Sequence, residues 1–144
     1  MKDLIYEIGF IFRGFTIVSN TFKDLPAQKD EDNKKDLRSA FVSAISTFAE
    51  SAFNNNNLEY LESGNILFIF KMSQIKSKDT NSAEPLIMYG LIEKGKKNPD
   101  KIVKKFFQKT TPILENFIQK YQNEDFTDIT LFEPFKEIVK EYFF

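Results

Sequence analysis

From Leu4 to Phe12 the apolar side chains fall into two interleaved sets. Leu4, Tyr6, Ile8, Phe10 and Phe12 share one parity, and Ile5, Gly9 and Ile11 the other. After Arg13-Gly14 the alternation resumes, with Phe15 and Ile17 against Thr16 and Val18. A period of two, carried by β-branched and aromatic residues, predicts strands, and Arg13-Gly14 predicts the turn of a β-hairpin over residues 3–22. A second hairpin is expected in "LEYLESGNILFIFKMSQI", turning at Ser63-Gly64. There Ile66, Phe68, Phe70 and Met72 lie on one face and Leu67 and Ile69 on the other. "PLIMYGLIEKG" reads as a fifth strand over about residues 85–94. The middles of the first, fourth and fifth strands are apolar on both parities, which calls for a sheet covered on both faces.

The period changes to 3.6 in three places. Leu37, Phe41, Ala44, Ile45, Phe48, Ala52 and Phe53 recur at spacings of three and four, predicting a helix over about residues 34–53. It follows the polar stretch "KDLPAQKDEDNKKD" and ends at "NNNN", residues 54–57. Asn98 as cap and Pro99 at the first helical position open a long apolar stripe from Ile102 to Tyr121. Pro112 interrupts it, so a kink near residues 108–112, or two abutting helices, is expected. A last helix is expected over about residues 131–143, with Pro134 in its first turn. The element order is β-β-α-β-β-β-α-α, an α+β arrangement. It predicts a five-stranded antiparallel sheet with one helix on one face and two C-terminal helices on the other.

Length and the lack of repeats predict one domain over residues 1–144. Phe dominates the core candidates, with 17 in the chain. Cys and His are both missing, which removes the thiol nucleophile, the thiolate zinc site and the commonest general base. Neither a catalytic residue, a metal site nor a cofactor is therefore expected. The formal charge of −1 gives no reason to expect a nucleic-acid partner. Lys2-Asp3 leads into an alternating strand-like run, so no N-terminal signal is expected. The longest apolar runs, such as "ILFIF", are far short of the about 20 residues that cross a bilayer. A cytoplasmic protein is expected.

"GFIFRGFT", from Gly9 to Thr16, approaches the phosphate-loop frame G-x-x-x-x-G-K-[ST]. The chemistry does not follow the frame. A phosphate loop needs small residues, a Lys after the second Gly and a helix beyond it. Here Phe10, Ile11 and Phe12 fill the loop, Phe15 stands at the Lys position, and a strand follows. Gly14 is expected to serve a turn, and Gly9 to let a packed helix approach the sheet.

The hairpin "IYEIGFIFRGFTIVSNTF", the helix "LRSAFVSAISTFAESAF", the strands "LEYLESGNILFIF" and "EPLIMYGLIEKG", and the helix after "NPDK" together resemble longin domains in their order. The same plan is similar to that of adaptor small chains and sedlin-like subunits of tethering complexes, over essentially the whole chain. The related roadblock fold would put a helix before the first strand, and none fits before Leu4. The resemblance rests on topology and carries over no site residue. It implies a non-catalytic protein-interaction scaffold, with a small GTPase or trafficking machinery as partner. The alternative class is a PAS-like small-molecule sensor with an apolar pocket, which a closed cavity beneath the sheet would favour.

Three docking features follow. The smooth helix face of Ser39, Ala40 and Ser43 would allow close backbone approach. The hairpin edge beginning at Phe15 and Ile17 could accept a strand, including that of a second copy in a homodimer. The lysine run Lys94, Lys96, Lys97, Lys101, Lys104, Lys105 and Lys109 surrounds a helix start, where its charge opposes the helix dipole. Either it is a solvated face, or Lys97, Lys101, Lys104 and Lys105 meet an acidic partner or anionic membrane. The strand carboxylates Glu59, Glu62, Glu84 and Glu93 have no partner that would make them an acid–base pair.

Overall fold

In the computed structural model, the structure describes residues 2–25 and 59–143, together with Phe41, Ala44, Ile45, Thr47 and Phe48 between them. A 3-10 turn over Lys2–Leu4 leads into β1 (Ile5–Phe12) and β2 (Phe15–Thr21), and then come β3 (Tyr60–Ser63), β4 (Ile66–Ile75) and β5 (Glu84–Glu93). α1 (Pro99–Tyr121), a 3-10 turn over Ile129–Phe132 and α2 (Phe135–Glu141) complete the described chain. The strands form one antiparallel sheet in the order β2-β1-β5-β4-β3. The expected sheet is thus the observed one. Of the expected helix over residues 34–53, the five described positions Phe41 to Phe48 are helical, and the rest lies outside the described residues.

The β1–β2 turn has Arg13 at φ 52° and Gly14 at φ 82°. Positive φ at both central residues is the two-residue turn whose twist suits a hairpin. It brings Phe12 opposite Phe15.

Two cores flank the sheet. On one face Ile8, Phe10, Phe12, Leu67, Ile69, Met88 and Ile92 pack under α1, α2 and the segment between them. On the other, Tyr6, Ile11, Ile66, Phe68, Phe70, Tyr89 and Leu91 pack with Phe41, Ala44, Ile45 and Phe48. Phe41 and Ile45 are half-buried rather than buried.

Strict alternation fails at two bulges. Ile5 pairs with Ile92 and Glu7 with Leu91, so Tyr6 is an extra residue on β1. Ile5 therefore joins Ile8 and Phe10, while Tyr6 goes to the opposite face, contrary to its parity. On β2, Phe10 pairs with Val18 and Ile11 with Thr16, leaving Ile17 as the extra residue. Ile17 and Val18 then both enter the core beneath the C-terminal helices.

Two glycines carry close approaches. A Cβ on Gly9 would collide with the Tyr89 ring, and one on Gly90 with the Phe106 ring. The expectation that Gly9 admits a helix is corrected. Gly9 admits the ring of its cross-strand neighbour, and Gly90 is where α1 comes down on the sheet.

α1 is one unbroken helix through Pro112. The bond that Pro112 cannot make would go to the carbonyl of Gln108, on the solvent side, where water can replace it. Ile113, Leu114 and Phe117 continue the buried stripe of Ile102, Val103 and Phe106, so one core holds both halves. The last helix is shorter than expected. Pro134 separates the turn at Ile129–Phe132 from α2, because a proline there cannot extend the helix from before it.

Phe68 is fully buried and stacks on Phe41 at 5.9 Å. Phe68→Ala should lower the unfolding free energy by about 3–5 kcal/mol. Gly90→Ala should also destabilise, through the displaced Phe106 ring. Urea denaturation checks both, and unchanged midpoints would refute this packing.

Candidate functional site

The tightest polar cluster lies at the β1–β2 turn. Arg13 donates through Nη1 and Nη2 to both carboxylate oxygens of Asp79, at 3.1 and 3.0 Å. Its Nε and Nη2 donate to Glu84 Oε2 at 3.0 and 2.8 Å, and Nη2 also to Ser77 Oγ at 3.2 Å. Ser77 Oγ donates in turn to Asp79. The loop holding Ser77 and Asp79 is itself tied to the chain after α1: Lys78 N donates to Glu124 O at 2.8 Å, and Asn123 N to Lys76 O at 2.7 Å. These bonds to Asp79 and then Glu84 push the Arg13 guanidinium pKa above its usual range. Its bond from Arg13, then that from Ser77, holds the Asp79 carboxyl down at about 2. The cluster is a clamp, with its cation fully engaged.

A second polar group crosses the sheet. Tyr89, buried over Gly9, donates its hydroxyl to Glu7. Burial first, and the Glu7 charge second, push the Tyr89 pKa above the usual tyrosine range. Two other carboxylates are also paired, Glu93 with Lys23 at 3.4 Å and Glu62 with Lys94 at 2.7 Å, whereas Glu59 makes no ion pair with a described residue. Tyr121 is different, because its buried hydroxyl finds no hydrogen-bond partner among the described residues. Its ring packs between Phe117 and Phe132, each at 4.8 Å, and that contact holds it in place.

The third feature is an open groove of about 490 Å³ lined by Glu59, Asp100, Val103, Lys104, Phe107, Gln108 and Thr111. The helical members recur at spacings of three and four, so they form one flank of α1. Two bridges tie that flank to the sheet: Tyr60 Oη donates to Asp100 at 2.8 Å, and Lys71 Nζ to Thr111 Oγ1 at 2.9 Å. Hydrogen bonding to Asp100 raises the Tyr60 pKa.

The expected docking residues are distributed unevenly. Lys97, Lys101, Lys104 and Lys105 are exposed, and with Lys96 they make no ion pair with a described residue. Lys104 alone of them lines the groove. Lys94 leaves the run to pair with Glu62, and Lys109 lies over the Phe143 ring at 5.7 Å. Phe15 is 74% exposed, but Ile17 is 6% exposed and points into the core, so it offers no side chain to a partner. The bulge that turns it inward is the reason. Ser39, Ala40 and Ser43 lie outside the described residues. Sequence reasoning missed Arg13, Ser77 and Asp79 as a unit. The one signal was an arginine where this turn type favours Asn, Asp or Gly.

No helix among the described residues is long and apolar enough to cross a membrane, and none of their His, Cys, Asp and Glu side chains cluster as metal ligands. No protein-family model, curated protein or solved structure matches the chain.

The clamp makes a pH prediction. Asp79 titrates near 3.8 when unpaired and near 2 in the fold, so the pair adds stability above the higher value. That contribution is lost as pH falls through the lower one. Denaturation midpoints should drop across this acid window, and Arg13→Gln should remove that part of the drop. An identical acid profile in the variant would refute the clamp.

Proposed function

We propose that this chain is a protein-docking scaffold on a longin-like plan, acting through its surface, with a small GTPase as partner. The observation that carries the reading is how its polar groups are engaged. Arg13, Asp79 and Glu84 bind one another, as do Tyr89 and Glu7, Lys23 and Glu93, and Lys94 and Glu62. Among the described residues, Lys96, Lys97, Lys101, Lys104 and Lys105 form an exposed run that makes no ion pair. Chemistry in a pocket needs converging free groups, whereas docking needs an unsatisfied surface. The strand order, with apolar cores on both sheet faces, supports the longin-like plan, although fold by itself is compatible with many functions.

The sensor alternative has less support. The core beneath α1 is filled ring on ring: Phe10 stacks on Phe117 at 4.3 Å, Phe135 meets both edge-on, and Phe126 meets Phe132 at 5.0 Å. The groove is open to solvent rather than enclosed beneath the sheet.

The test is capture of purified small GTPases, each loaded with GDP or a non-hydrolysable GTP analogue, on the immobilised chain. One of them should bind in a nucleotide-dependent way. Absence of binding in either state, with a small molecule found bound by native mass spectrometry, would replace the scaffold by the sensor.

A further inference from the structure

The flank of α1 from Asp100 to Thr111 is bounded at both ends. Tyr60 closes one end on Asp100, and Lys71 closes the other on Thr111. Between the bridges the floor is apolar, made by buried Val103 and half-buried Phe107. This run covers about three helical turns, or roughly 16 Å at about 1.5 Å per residue. An extended segment of about five residues, at about 3.3 Å each, has the same length. The strand nearest the mouth, β3, is a sheet edge only four residues long.

Charge selects among occupants. Lys104 stands in the groove, and Lys101, Lys105, Lys97 and Lys96 extend from it over the exposed side of α1 and the turn before it. Two carboxylates also line the groove, Glu59 just before β3 and Asp100, which accepts the Tyr60 bond and sits in the first helical turn, where a negative charge is favourable; the five lysines outnumber them. A flat anionic membrane could meet the lysines but could not fill a cleft that runs between two bridges. An extended strand places alternate side chains on opposite sides. One with apolar residues on one side and acidic residues on the other would satisfy Phe107 below and the lysines above.

We propose that this groove binds an extended segment of a partner protein in which acidic and apolar residues alternate. The assignment rests on the scaffold reading and names where and what that scaffold grips. Apolar side chains contact the half-buried Phe107, and carboxylates pair with Lys101, Lys104 and Lys105.

The probe is a fluorescein-labelled peptide of alternating glutamate and leucine, followed by anisotropy with the full chain. A peptide of alternating lysine and leucine, and phosphatidylserine vesicles, are the controls. The acidic peptide should bind, more weakly at high salt, and the basic peptide should not. The double variant Lys101→Glu with Lys104→Glu should weaken binding about tenfold or more, by replacing attraction with repulsion. Gln108→Trp should weaken it without changing the charge, by filling the groove. All three positions are exposed, so circular dichroism and the denaturation midpoint should match the wild type. Binding that survives both variants overturns the site, as does vesicle binding lost in the double variant with no peptide binding. GTPase capture that persists in both variants while they lose the peptide leaves this site standing and places that partner elsewhere. Failure of capture with peptide binding intact removes the GTPase partner and keeps the groove.

Discussion

The structure depends on two rings, each lying over a glycine at the centre of the sheet. Tyr89 and Gly90 are neighbours on β5 and face opposite sides. Tyr89 projects into one core and lies over Gly9 of β1, while Gly90 leaves a dent on the other face that the Phe106 ring of α1 enters. A sheet buried on both faces has to be thin where a helix presses on it and filled where it does not. The adjacent large and small residues do both in one step along the strand. The α1 position follows from this seat. Phe117, three turns on, reaches Phe10 and Phe135, and α2 is brought over β2, where Asn20 Nδ2 donates to Lys136 O at 2.9 Å.

Around this apolar centre the polar clusters hold the ends. Arg13 occupies a left-handed backbone position that a non-glycine residue adopts at a cost. Its side chain explains why it is worth holding there. From the turn, the guanidinium spans Asp79 within the β4–β5 connection and Glu84 at the start of β5, and that connection is pinned to the chain leaving α1. One strained residue thus fixes a hairpin, a loop and a helix exit. The carboxylates that looked available in the sequence, Glu62, Glu84 and Glu93, serve as such fasteners.

Much of this was legible in the chain, because local rules govern it. The glycine after Arg13 placed the hairpin turn, Asn98 and Pro99 placed the start of α1, and apolar residues on both parities of β1, β4 and β5 required a covered sheet. What stayed hidden depends on residues far apart in sequence. Period two cannot reveal that Tyr6 and Ile17 are bulge residues, since a bulge is defined by the partner strand's register. Gly9 gave no sign that its neighbour would be Tyr89, 80 positions on. Asp79 and Glu84 pair with Arg13 across 66 and 71 positions, beyond any spacing rule. The kink expected at Pro112 rested on a local rule too, but the continuous core beneath it prevailed. In the candidate site the lysines were legible as a run. The groove beside them was not, because Glu59 and Thr111 come to line one groove only when α1 settles on the sheet.

The bulge at Ile17 also changes what the β2 edge presents. Without it, β2 would be a seven-residue edge strand free of charge and proline, an open template for another strand. With it, the ladder shifts register in mid-strand, and Ile17 turns inward beside Val18. A strand added there would meet a local break in pitch, and α2 already lies over that end of the face. The other edge, β3, is short, but it borders the groove along α1, where side chains of both charges and an apolar floor are left open. Both edges are thus blunted, one by a bulge and one by brevity, which leaves the side chains along α1 as the open surface on which docking is proposed. A surface of that kind discriminates by charge and shape, as the proposed scaffold would need in order to hold one segment and reject other strands.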